Sequence, residues 1–90
     1  MRDQRTPTER IEAVCEAAGL RCERGRSGEL FVCRRNSEGR LVGWVTIRPK
    51  IRILSPGFCS RLDSEKPETG AGWPERLAQR AVEMLRGGEA

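Results

Sequence analysis

The clearest alternation of apolar and polar positions lies in residues 44–54, WVTIRPKIRIL. Successive side chains of an extended chain point to opposite faces, so this pattern predicts a strand with one apolar and one polar side. The apolar side carries Val45, Ile47, Pro49, Ile51 and Ile53. The polar side carries Trp44, Thr46, Arg48, Lys50 and Arg52. We therefore expect the apolar side to lie in the core. The other side is basic and begins with the aromatic ring of Trp44.

Pro49 leaves two arrangements of this stretch open, because proline has no N–H to donate to a neighbouring strand. Residues 44–54 form one long edge strand, or residues 48–51 form a turn and 51–54 a separate fourth strand. We favour the turn. Either arrangement predicts that Arg48, Lys50 and Arg52 are exposed and close together.

The N-terminal part predicts a helix over residues 7–18. Thr6 is placed as N-cap, Pro7 suits the first helical position, and Glu9 completes a capping box. Helical spacing predicts a buried stripe consisting of Ile11, Val14, Cys15 and Ala18. Gly19 provides the C-terminal stop.

Three strands are expected over residues 20–24, 29–35 and 40–48, joined by turns rich in glycine, serine and asparagine. A second helix is expected over residues 73–86, starting at Trp73-Pro74. Its buried stripe consists of Leu77, Ala81, Met84 and Leu85, flanked by Ala78 and Val82.

These elements predict a two-layer α+β fold in the order helix, three or four antiparallel strands, helix. Packing both helices on one face of the sheet buries every apolar stripe at once and leaves the basic side open to solvent. We expect a single domain over residues 1–90, with frayed ends at 1–5 and 87–90. Residues 55–72 are expected to form a long loop.

Charge is concentrated in the middle of the chain. The formal net charge is +4, but residues 20–61 hold ten basic and three acidic side chains, so the remainder is mildly acidic. Arginine binds phosphate and carboxylate through a planar fork of donors, although a GC-rich genome produces the same arginine bias. With no signal peptide and no run of apolar residues of membrane-spanning length, we expect a cytoplasmic protein without membrane association.

The sequence indicates a protein that is not an enzyme. It has no histidine and no phosphate-binding loop of the Walker type. Glu23, Glu29 and Glu38 are interpreted as surface charge, with a metal-binding or general-base role as the alternative. The four cysteines lack zinc-ligand spacing, so no metal and no cofactor are expected, and no small-molecule substrate is evident. Cys22 and Cys33 are expected to face each other across neighbouring strands.

The order of elements and one short motif resemble the double-stranded RNA-binding domain. That family opens its second helix with G-x-G-x-S-K-K-x-A-K-x-x-A-A, and Gly70, Gly72, Arg76 and Ala78 fall in register with it. The resemblance implies that Arg76 contacts phosphate at the helix N-terminus.

The chain departs from that motif at Pro74 and Glu75, which stand in place of the serine and the first lysine. The layout is also similar to small ribonuclease toxins. The catalytic histidine that those toxins carry after their first hairpin is absent here, and Glu29 is the nearest residue.

Two functions remain open from the sequence, and the basic charge favours the first. The first is nucleic-acid binding through Trp44 as a base-stacking ring and through basic side chains at Arg34, Arg48, Lys50, Arg52, Arg76 and Arg80. The second is a protein-binding inhibitor that covers an acidic partner surface, as antitoxins and phage-encoded anti-defence proteins of the anti-CRISPR type do. Its anchors would be Trp44, Phe58 and Trp73.

Overall fold

The computed structural model describes residues 4–57 and 67–86. Expectations for residues 1–3, 58–66 and 87–90, including a role for Phe58, lie outside the described residues. The elements follow in the order α1 (Pro7–Ala17), β1 (Arg21–Arg24), β2 (Leu30–Arg35), β3 (Leu41–Arg48), β4 (Ile53–Pro56) and α2 (Trp73–Arg86). This order confirms the predicted α+β fold and its fourth strand.

The four strands form one antiparallel sheet in chain order, β1-β2-β3-β4. Leu30 lies opposite Ile47 and Val32 lies opposite Val45. Residues opposite each other in an antiparallel pair share a face, so these four side chains point the same way. They are all buried, and this face of the sheet is the one that packs against the helices.

Two contacts locate the helices on that face. Arg24, on the same side of the sheet as Leu30, forms a two-bond ion pair with Glu12 of α1. A methyl group built at Gly43 of β3 would lie 3.1 Å from Leu85 Cδ2 of α2, so α2 crosses β3 where there is no side chain.

The first helix begins as the sequence predicts. Glu9 N donates to Thr6 Oγ1 at 3.1 Å, and Thr6 N donates to Glu9 Oε1 at 2.8 Å, which completes the capping box. Ile11 and Cys15 are buried, but the predicted burial of Ala18 is wrong. Ala18 is the C-cap, one residue beyond the last helical turn, and Gly19 then takes a left-handed φ of 84°.

The second helix has the predicted bounds, and its buried face is slightly rotated from the prediction. Met84 is 41% exposed instead of buried. The buried residues of α2 centre on Ala81 and Val82, which leaves Met84 at the margin of the stripe.

The turn before β4 inverts the predicted alternation. Residues 49–52 form the turn, and Arg48 lies directly opposite Ile53. Opposite residues share a face, so Ile53 points away from the helices and Leu54, opposite Ile47, enters the core instead. Ile51, predicted to be in the core, lies in the turn and is 44% exposed. The fourth strand therefore starts and ends two residues later than predicted.

We predict that Thr6→Ala lowers the free energy of unfolding by about 1 kcal/mol, because it removes the oxygen that accepts the Glu9 N–H. Denaturant unfolding followed by circular dichroism measures this loss. Thr8→Ala, the same substitution inside the first turn of α1, is the matched control. Equal stability of the Thr6 variant and the wild type would contradict a working cap.

Candidate functional site

The sheet face turned away from the helices combines aromatic and basic side chains, and we call it the outer face. The registers of the four strands place the following residues on it: Arg21, Glu23, Phe31, Cys33, Arg35, Trp44, Thr46, Arg48, Ile53 and Ser55. The side chains toward β1 are exposed or half-buried, whereas those toward β4 are mostly buried. The accessible part of the outer face therefore lies over β1, β2 and the first half of β3.

Phe31 and Trp44 lie at the centre of this accessible part. Trp44 is opposite Cys33, and Phe31 is opposite Thr46, so the two rings are diagonal neighbours on adjacent strands. Diagonal neighbours in a sheet are about 7–8 Å apart, which is within reach for aromatic side chains. Both side chains are half-buried and present part of their surface to solvent.

Phe31 is absent from the predicted site residues, because the run LFVC at 30–33 is apolar at every position and does not by itself show which side faces the core. The alternation contained the signal. Leu30 and Val32 take the core side, so Phe31 and Cys33 must take the outer side beside Trp44.

The β4 side of the outer face is closed, so the prediction of a fully open basic face is wrong in this half. Thr46, predicted to be exposed, is 3% exposed, and Ser55 opposite it is fully buried. Thr46 Oγ1 donates to the Gly57 carbonyl at 2.7 Å. A methyl group at Gly57 would lie 3.4 Å from Trp44 Nε1, so the chain after β4 covers this edge of the indole.

Arg48 ends β3 on the outer face and is half-buried, so the prediction that it is exposed is wrong. Its Nη1 atom is buried and has no hydrogen-bond partner among the described residues, and the same is true of Ser55 Oγ. Buried polar atoms are nearly always hydrogen-bonded, because leaving one without a partner costs its lost hydration. Arg48 is therefore a cation whose donors are not committed to the described part of the fold.

Lys50 and Arg52 lie in the turn before β4, beyond the end of the sheet. The prediction that they lie on the outer face is therefore wrong. Both are exposed, as expected. The Arg52 guanidinium lies 4.8 Å from the centre of the Trp73 ring, and the Arg52 carbonyl accepts a hydrogen bond from Glu68 N at 2.9 Å. Arg52 has φ 58°, so it provides the left-handed residue of this turn as well as an anchor for α2.

Arg76 is engaged within the protein. Its Nε donates to Glu68 at 2.9 Å, Nη1 donates to the Ala71 carbonyl at 2.7 Å, and Nη2 donates to the Thr69 carbonyl. These bonds hold residues 68–71 against the start of α2. The resemblance to the double-stranded RNA-binding domain implies that Arg76 contacts phosphate. In the structure, its donors are instead bonded to residues of the preceding loop.

The remaining predicted site residues are also separated from the outer face. Arg80 pairs with Glu68 at 3.2 Å. Arg34 lies opposite Gly43, on the helix side of the sheet, where it lines a small cleft with Leu20 and Val82. Of the seven predicted residues, the structure brings Trp44, Arg48 and Lys50 to the outer face and its adjoining end.

The three candidate carboxylates are dispersed. Glu29 accepts a hydrogen bond from Ser27 N at 3.3 Å within the β1–β2 turn, and Glu38 lies in the exposed β2–β3 turn. Glu23 is exposed on β1. Within residues 4–57 and 67–86, no group of three potential metal ligands comes together.

The predicted approach of Cys22 to Cys33 is wrong. Cys22 pairs with Val32 on the core side, whereas Cys33 pairs with Arg21 on the outer face. Cys22 instead meets Cys15 of α1. A hydrogen bond between the two thiols lowers the pKa of Cys15 and raises the pKa of Cys22.

The sequence matches no protein-family model, no curated protein and no solved structure. None of the helices in the described ranges is long and apolar enough to cross a membrane. The physical features of the outer face and its adjoining end therefore carry the functional argument.

We predict that the Glu68 cluster loses its stabilising effect in acid. The hydrogen bond from Arg76, assisted by Arg80, lowers the pKa of Glu68 in the folded state. Its ion pairs therefore stabilise the fold above the unfolded-state glutamate pKa of about 4.3, and this stabilisation is lost as pH falls through the lowered folded-state pKa.

Thermal unfolding of the wild type and Glu68→Gln between neutral and acidic pH tests this. The variant should melt lower at neutral pH, and the two melting temperatures should converge in acid. Glu83→Gln, a carboxylate removed from the exposed side of α2, is the matched control. A gap between wild type and Glu68→Gln that stays constant down to acidic pH would contradict the prediction.

Proposed function

We propose that the protein binds nucleic acid through the accessible part of the outer face, with unpaired bases stacking on Phe31 and Trp44. The observation that carries this proposal is the diagonal placement of two partly accessible aromatic rings on adjacent strands. Stacking of a base on an aromatic side chain contributes about 1–3 kcal/mol and tolerates any base, because every base has a π-face.

Three arginines surround the two rings. Arg21 and Arg35 are exposed on β1 and β2, and Arg48 lies at the end of β3. Arg35 donates one hydrogen bond to the Gly39 carbonyl, which leaves its other donors available. Among the described residues, Glu23 is the single carboxylate on the outer face, so this part of the face carries an excess of positive charge suited to a phosphate backbone.

Rings flanked by cations favour a single strand over a duplex. Bases in a duplex are stacked on one another and present only their edges, whereas a single strand offers base faces to a flat sheet. The proposed ligand is therefore single-stranded RNA or DNA.

Fluorescence anisotropy with labelled single strands and duplexes at several salt concentrations tests this proposal. We expect Phe31→Leu and Trp44→Leu each to weaken single-strand binding about tenfold, since leucine retains apolar volume but removes the stacking surface. We expect Arg21→Gln and Arg35→Gln each to reduce the slope of log K against log salt by about 0.7, the value for one lost phosphate contact on a single strand.

Arg86→Gln, at the exposed end of α2 in the helix layer, is the matched charge control and should leave affinity and salt slope unchanged. Circular dichroism of each variant establishes that the fold is retained. The absence of binding by the wild type at low salt, or equal weakening by Arg86→Gln, would refute the proposal.

A protein partner is the second candidate, and one observation favours it. Leu41 and Val42, at the start of β3, are 43% and 42% exposed and lie two to three residues from Trp44. Exposed aliphatic side chains beside a tryptophan and arginines also form protein-binding surfaces. In that case Leu41→Ser with Val42→Ser would abolish binding to a purified partner, and high salt would weaken that binding only slightly.

A further inference from the structure

A small cleft lies at the end of the sheet, between the β1–β2 turn and the turn before β4. It has a volume of about 150 Å³ and is lined by residues 27–29 and 48–51. A water molecule occupies about 30 Å³ in the liquid, so the cleft has room for a tetrahedral oxyanion. It adjoins the outer face through Arg48, which belongs to both.

The cleft contains two cations without an anionic partner. Arg48 lines the cleft, and its Nη1 atom is buried and has no hydrogen-bond partner among the described residues. The Lys50 side chain extends from its own turn to the opposite one, where its Cε and Nζ would lie 3.6 and 3.9 Å from a methyl group at Gly28. In the described part of the chain, Lys50 forms no ion pair with Asp or Glu.

The one carboxylate among the lining residues is held at the β1–β2 turn. Glu29 accepts the Ser27 N–H, and its Oε1 lies so close to Gly25 that a methyl group there would clash with it. The lining side chains thus carry two positive charges and one negative charge, with the negative charge held at the β1–β2 turn. An anion entering the cleft would lie beside Arg48 and Lys50, which both line it.

We propose that this cleft binds the terminal phosphate of a nucleic-acid strand, an inference that rests on the proposed function. A terminal phosphomonoester carries a charge of about −1.5 to −2 at neutral pH, which matches two free cations better than the single charge of an internal diester. A strand end also fits a cleft closed by a turn on each side, since an internal phosphate must let the chain leave as well as enter.

The position of the cleft agrees with a nucleic-acid strand that lies along β3. Trp44 and Arg48 are four residues apart on β3, a distance of about 13 Å at the usual rise per residue. The end of the nucleic acid would lie in the cleft, while the bases that follow it reach the rings of Trp44 and Phe31.

The cleft itself is tested by NMR titration of the labelled protein with adenosine 5′-monophosphate, with adenosine as the control. We expect saturable shifts of the backbone amides of Ser27, Gly28, Lys50 and Ile51 with the monophosphate only. Arg48→Gln should abolish these shifts, and Arg86→Gln should not. Glu29→Gln, which retains an acceptor for Ser27 N but removes the negative charge, should tighten binding. An absence of shifts at these amides would overturn the proposal.

The strand end is tested with single strands of one sequence that carry a 5′-phosphate, a 3′-phosphate or hydroxyls at both ends. We expect one of the two phosphorylated strands, with either the 5′-phosphate or the 3′-phosphate, to bind about tenfold more tightly than the strand with hydroxyls at both ends. Charge-assisted hydrogen bonds are strong enough for this difference. Lys50→Gln should remove the difference in affinity between this phosphorylated strand and the hydroxyl strand.

The outcomes separate this inference from the proposed function. Equal affinity for all three strands, with binding still dependent on Phe31 and Trp44, would overturn the terminal-phosphate site and leave the proposed function standing. Shifts with the monophosphate but no binding of any strand would overturn both the proposed function and the strand-end ligand, and would identify the cleft as a site for free phosphate monoesters.

Discussion

The pairing of β2 with β3 is the constraint on which the rest of the structure depends. It places Leu30 opposite Ile47 and Val32 opposite Val45. These four side chains belong to the apolar sheet face against which both helices pack. Side chains alternate strictly along a strand, so the same register sends Phe31 and Trp44 to the opposite face. A slip of one residue would put these two rings into the core and the aliphatic residues into solvent. The core and the proposed binding surface are thus two consequences of one register.

The arginines divide into two groups with different physical roles. Arg10, Arg24, Arg76 and Arg80 are bonded to carboxylates of this chain. Arg52 lies against Trp73 and also holds the left-handed position in its turn. These side chains connect α1 to α2, α1 to the sheet, and residues 68–71 to α2. Arg48 and Lys50 make no such bond within the described residues, and both line the cleft in which we propose that an outside anion binds.

Burying a guanidinium nitrogen without a partner opposes folding, because the lost hydration is not replaced. In a chain of this size the core is modest, so the cost of such an atom is a noticeable fraction of the total stability. Groups of this kind often lie where a ligand later supplies the missing bond. Trp44 and Phe31 are consistent with the same surface, since each leaves part of an apolar ring in solvent.

The amino-acid sequence alone predicts the order and type of the elements, both helix starts and most of the core. Those features depend on local chemistry: the Thr6 capping box, the proline at the start of each helix, and the spacing of apolar residues at period two or 3.6. It also predicted that Trp44, Arg48 and Lys50 belong to one region. The same alternation also predicts that Phe31 lies on the outer face if Leu30 lies in the core.

The assembled fold is needed to establish which cations remain available and which side of the sheet each strand residue takes. Arg76 meets the carbonyls of its own loop, and Arg34 lies on the helix side because of the β2–β3 register. The four-residue turn before β4 reversed the faces of Ile53 and Leu54, since opposite residues in an antiparallel pair must share a face. Turn length and the partners of long side chains are properties of the assembled chain. A pattern read along one strand carries no information about either.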